Sequence, residues 1–135
     1  MKTTLLGAAL GVLTAGLLAG SALAQDITGT WRTQSGETDV RIARCGSAYC
    51  GTIVRASGNP RDTENPDPSL RSRPVVGIQM ISNLTGSGPR YSGNLYNYKD
   101  GGTYRGTAEL SGDNQLRVSG CVMVFCRSQT WTRLR

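Results

Sequence analysis

The chain has 135 residues, with 15 basic and 9 acidic side chains and no histidine. The missing imidazole excludes Ser-His-Asp and Cys-His nucleophilic machinery, and the length allows one small domain. Five Tyr, two Trp and one Phe are a thin aromatic supply, so the core must be built mainly from aliphatic side chains.

Residues 1–24 place Lys2 ahead of a long run of Leu, Ala, Gly and Val that ends in Ala22-Leu23-Ala24. That is the layout of a bacterial secretory signal peptide cleaved after Ala24. It leaves residues 25–135 as a single domain, periplasmic or secreted and not integral to the membrane. An uncleaved anchor is the competing reading, because the run is almost long enough to span a bilayer; its glycines and the cleavage site weigh against that. Ser21 stands where a lipid-bearing cysteine would be needed. Without Lys2 the chain keeps a net charge of +5, carried almost entirely by arginine. Export removes most nucleic-acid partners, so the excess fits solubility first and anionic envelope surfaces second.

Strand signals then follow one another. Ile27–Thr33 is followed by a Ser35-Gly36 turn, and Thr38–Arg44 alternates with Val40 and Ile42 on one face and Arg41 on the other. Gly51–Arg55 returns from the loop RCGSAYCG. Val76–Ser82 is a continuous apolar strand, and Tyr91–Tyr98 leads into the turn Lys99-Asp100-Gly101-Gly102, where glycine supplies positive φ. Thr103–Leu110 places Tyr104, Gly106, Ala108 and Leu110 on one face. After the turn at 111–114, Gln115–Cys121 and Cys126–Leu134 form the last pair. About eight short strands with regular turns and no helical period predict a sandwich or a small antiparallel up-and-down β-barrel.

Cys45 and Cys50, and Cys121 and Cys126, each flank four residues between strands. Cysteines facing each other across a hairpin mouth have the separation a disulfide needs. The pairings Cys45–Cys50 and Cys121–Cys126 are therefore favoured, with crossed pairings the alternative. A zinc site would have to be built from four thiolates, since no histidine exists. No metal and no cofactor are called for.

Two segments resist the strand pattern. Ser57–Pro74 is long for a connection in a compact domain, a length typical of lids and binding loops. Within it, Asp67 caps a short helical turn, Pro68 suits the first helical position, and Pro74 ends the turn. Asp67 and Arg71 are then placed to pair across it. Arg71 and Arg73 either meet an anionic group at a barrel mouth or hold the loop to its own acidic residues. The second segment is Val122-Met123-Val124-Phe125, four apolar residues clamped between cysteines. It either plugs the end of the barrel, the simpler reading, or touches a ligand or partner.

Asp62, Glu64 and Asp67 are the carboxylates an acid–base enzyme would use, but such work needs two on facing elements. Beside Arg61, Arg71 and Arg73 they form an ion-pair mesh more readily, so the chain reads as a non-enzyme. Candidate ligand contacts are Asn65, Arg71, Arg73, Tyr104, Met123 and Phe125. Trp31 and Trp131, in the first and last strands, meet where a barrel closes, with arginine stacked over indole across the seam.

The motifs ITGTW, NPDPSLRSRPVVG, LYNYKDGGTYRG and GCVMVFCRSQTWTRLR together resemble the bacterial domain-of-unknown-function family 2147. The resemblance covers nearly all of residues 25–135 and implies an exported, lipocalin- or calycin-like barrel. Gly29-Thr30-Trp31 is similar to the G-x-W that opens lipocalin barrels, which implies Arg133 as the partner of Trp31. No reaction comes with it. The function so implied is a binding module for a small amphipathic or anionic envelope molecule. A protein-interaction or envelope-structural module with a solid barrel is the alternative. Ser92-Gly93-Asn94-Leu95-Tyr96 also fits the S-G-x-x-Y spacing of small periplasmic lysozyme inhibitors, although a basic chain would repel a basic lysozyme.

Overall fold

In the computed structural model the described residues are 26–135, together with Gly7 and Gly11. The signal-peptide reading of residues 1–24 thus lies outside the described residues. Among the described residues eight antiparallel strands follow in chain order: β1 (Gly29–Arg32), β2 (Thr38–Cys45), β3 (Ala48–Ala56), β4 (Gln79–Thr85), β5 (Arg90–Asn97), β6 (Gly102–Ser111), β7 (Gln115–Val122) and β8 (Phe125–Arg133). Each pairs with the next, and β8 returns to β1 through Trp31 opposite Arg133 and Arg32 opposite Thr132. The result is a closed up-and-down barrel with one 3₁₀ turn at Pro68–Leu70. Among the described residues no helix is long and apolar enough to cross a membrane.

Period-two alternation decides which side chains point inward. Trp31, Val40, Ile42, Ile53, Ile81, Leu84, Leu116 and Trp131 are all essentially inaccessible to solvent. Leu84, Leu116 and Trp131 lie toward the end holding the start of β1 and the Cys45–Cys50 hairpin, where Tyr49 and Tyr91 meet edge to face at 5.6 Å. Arg133 closes this end. Its guanidinium lies 4.3 Å from the Trp31 ring centre and donates to the carbonyls of Asp113 (2.6 Å), Thr28 (2.6 Å) and Asp26 (2.7 Å).

The loops β1–β2, β3–β4, β5–β6 and β7–β8 gather at the opposite end. The strand expected to begin at Val76 begins at Gln79 instead. Val75 and Ile78 are buried, but as a turn: Ile78 N–H donates to the Val75 carbonyl, and Gly77, at φ 103°, donates to Ile53. Both side chains drop into the core from the connection itself, filling the β3–β4 side of the open end. A continuous apolar run can fill a core either way, so periodicity does not distinguish them.

The open end and its cavity

The other side of the open end is hollow. A cavity of about 690 Å³ is lined by Met80, Leu95, Tyr98, Val118 and Trp131 on its walls and by Glu37, Lys99, Asp100, Phe125 and Arg127 toward its rim. Tyr104, Tyr96, Gly120 and Gln129 also face it. The hollow follows from residue size. Gly106 and Gly120 pair in register behind Leu95 and Tyr104, and a Cβ at Gly106 would overlap the Leu95 side chain. Leu95 therefore lies flat against the wall rather than across the barrel.

On β8, Phe125, Arg127 and Gln129 stand on the same face as buried Trp131, yet all three are exposed. That pattern is what a solvent-filled cup produces. The charged groups of the rim are mostly committed. Lys99 pairs with Glu37, and Tyr104 donates to the Asp100 carboxylate at 2.6 Å. The hydrogen bond to Glu37 raises the lysine pKa, and that to Asp100 raises the phenol. Arg127 has no ion-pair partner among the described residues.

The long β3–β4 loop is tied to this wall by one buried carboxylate. Asp62 is fully buried and accepts from the Tyr96 hydroxyl (2.6 Å), Asn65 Nδ2 (2.7 Å) and Arg73 Nε (2.9 Å). Burial alone would push its pKa up, but the three donors outweigh it and hold the carboxyl below its ordinary value. Burial and the adjacent charge push the Tyr96 phenol up to about 12, so it remains a donor at neutral pH. Gly101, at φ 73°, lets the β5–β6 turn lie against the Glu64 carbonyl, where any Cβ would collide.

The expected site residues separate accordingly. Tyr104 and Phe125 line the cavity; Asn65, Arg71, Arg73 and Met123 do not. Arg73 is held by Asp62, and Arg71 Nε donates to the Asn65 carbonyl at 2.8 Å. The expected Asp67–Arg71 pair is absent, because Asp67 Oδ1 is taken by the Ser69 amide and hydroxyl, capping the 3₁₀ turn. Both arginines therefore organise the loop. The S-G-x-x-Y stretch lies within β5, its Tyr96 hydroxyl spent on Asp62. The apolar tip does not plug the barrel. Val122, Met123, Val124 and Phe125 are 53%, 91%, 86% and 79% exposed, because a two-residue connection between paired Val122 and Phe125 is too short to fold back inward. Both favoured disulfides, Cys45–Cys50 and Cys121–Cys126, are present.

Sequence reasoning missed Arg127 and Gln129, though the signal was there. With Trp131 inward, Gln129 and Arg127 follow at two-residue steps on the same face.

A model for a bacterial family described as uncharacterised, domain of unknown function 2147, matches residues 29–133. Among solved structures the chain is similar to protein HP1028 from Helicobacter pylori, described as belonging to the lipocalin family. The identity is 23% over 82% of this chain and 84% of that one, with a TM-score of 0.74. No curated protein matches.

Proposed function

The chain belongs to the bacterial domain-of-unknown-function 2147 family, and for it we propose a non-enzymatic role: an exported module that holds a small anionic amphipathic molecule of the envelope. The observation that carries this reading is a cavity of about 690 Å³, open at one end, with an apolar wall and, among the described residues, one cation at its rim without an ion-pair partner. Ligand sites of about 300–1,000 Å³ with few polar groups are the common case for small-molecule binding. The apolar part of the molecule lies against Met80, Leu95, Val118 and Trp131. Its anionic group meets Arg127, whose planar fork suits a carboxylate or phosphate. The two rim carboxylates, Glu37 and Asp100, are engaged by Lys99 and Tyr104, which leaves no free acid–base pair facing the cup among the described residues. The lipocalin-like barrel fits such a carrier, and the two disulfides fit an oxidising compartment, the periplasm or the exterior.

Two measurements test the reading. Native mass spectrometry of protein taken from its own cell envelope should show a bound small molecule. Titration with 1-anilinonaphthalene-8-sulfonate, itself an anionic amphiphile, should saturate at one site per chain. Arg127→Gln should weaken the probe by about tenfold, the loss of one charge-assisted contact, and Leu95→Trp should exclude it by filling the cup. An empty protein that shows no saturable probe binding would sink the proposal.

A further inference from the structure

At the β7–β8 tip, Met123 and Val124 remain unexplained by the cavity. Met123 and Val124 are almost wholly exposed, Val122 and Phe125 more than half exposed, and the Cys121–Cys126 bridge holds the tip rigid directly behind them. Met123 also sits at φ 55°, a conformation that glycine takes freely and other residues take rarely. A turn built for economy would carry Asn-Gly here; this one displays methionine.

The surroundings specify a partner by charge. Arg127 on β8 has no ion-pair partner among the described residues, and no carboxylate stands between Gln115 and Arg133. Arg105, exposed on β6, stands opposite Cys121 in register, on the outer face beside the bridge. An apolar tip backed by guanidinium groups is the pattern of an interfacial anchor, which sinks about 5–10 Å past lipid headgroups while cations meet the phosphates. Arg127 is two residues behind Phe125, about 7 Å along a strand, so the tip at that depth places it at the headgroup level.

We propose that the Val122–Phe125 tip docks the protein on an anionic phospholipid surface, with Arg105 and Arg127 at the phosphates and the cavity mouth turned toward the membrane. The docking rests first on Met123, Val124 and Arg105, none of which lines the cup, so it stands whether or not the cup holds a ligand. It makes the membrane the partner in preference to a second copy of the chain, since two such hairpins would bring like charges together.

The test is co-sedimentation of the natively processed protein with vesicles of mixed phosphatidylglycerol and phosphatidylcholine, and with phosphatidylcholine alone. The wild type should bind the mixed vesicles, bind the neutral ones far less, and be released by salt. Met123→Ser/Val124→Ser should reduce binding at least about tenfold. Arg105→Gln should reduce it about fivefold, the contribution of one surface charge. Met123→Gly removes the side chain where glycine fits the backbone, so lost binding cannot be attributed to unfolding. Every comparison shares the same N-terminus, so differences report the tip. Equal binding by wild type and the Met123/Val124 variant would overturn the proposal. So would a wild type that stays free of anionic vesicles, or a dimer in analytical ultracentrifugation that the same variant dissolves.

Discussion

Replacing Asp62 removes the acceptor for three donors at once, and the cost can be worked from what each donor can do afterwards. In Asp62→Ala the Tyr96 hydroxyl and the Asn65 amide lose a charged acceptor inside the protein, at about 1.5–3 kcal/mol for each such bond. Asn65 cannot turn away, because its Oδ1 already accepts from the Asp67 amide. Arg73 is different: its side chain is 37% exposed, so water recovers part of its solvation and its share is discounted. The expected loss is about 3–5 kcal/mol, in the range for breaking a buried charged pair. Asp62→Asn should cost less, about 1–2 kcal/mol. Its carbonyl can take the place of Oδ2 and serve both Arg73 and Asn65, while its NH2 donates to a rotated Tyr96 hydroxyl; only the charge is lost. Urea unfolding followed by circular dichroism measures both values. The pH dependence supplies a second check. A carboxyl whose folded pKa is depressed stabilises the protein above its unfolded value, about 3.9, and that stability is lost as pH falls through the folded pKa. Asp62→Asn should therefore flatten the acid limb of the stability curve below about pH 4. If Asp62→Ala costs under about 1 kcal/mol, or the acid limb is unchanged, the carboxylate is not what ties the loop to the barrel wall.

Arg133→Lys should destabilise by about 2 kcal/mol in the same assay, because an ammonium cannot span three carbonyls while lying flat on Trp31; an unchanged midpoint would discount the seam. Gly106→Ala forces Leu95 into the cup and should cost about 1–3 kcal/mol while weakening uptake of the anionic fluorescent probe. Asp39, clamped by Arg32 and Arg55, has its pKa held down to about 2, the hydrogen bond to Arg32 leading. Its stabilisation should be present above about pH 4 and vanish as pH falls toward 2, which Asp39→Asn would show as a missing step in acid unfolding. Cys121→Ser/Cys126→Ser should lower stability by about 2 kcal/mol and raise amide exchange at 122–125.

Alternation made the strands legible, since Val40 and Ile42, or Ala108 and Leu110, announce a face without any tertiary knowledge. The 3₁₀ turn was legible too, because Asp67-Pro68 supplies a cap and a fixed φ at adjacent positions. What could not be read was anything that depends on partners distant in sequence. Asp62 meets Tyr96 across 34 positions, and nothing local marks either one. Ile78 looked like part of a strand because burial is the same in a turn that dips into the core. The cavity itself is a deficit, of side chains too small at Gly106 and Gly120 to cross the barrel, and deficits leave no motif. The exposed tip reversed the simpler expectation, that apolar residues hide, because the hairpin is too short to let them.

The half-filled interior gives the barrel two regimes of tolerance along the same strands. On β8, Trp131 is buried where the cup meets the packed core and Arg133 closes the far end, so a change there is felt by the whole fold. Phe125, Arg127 and Gln129, a few residues away, border solvent and contribute little to the core. Substitutions at such exposed positions generally stay within about 0.5 kcal/mol. What the cup accepts can therefore drift by one or two replacements while the melting temperature hardly moves, so selectivity and robustness are free to change independently in this barrel.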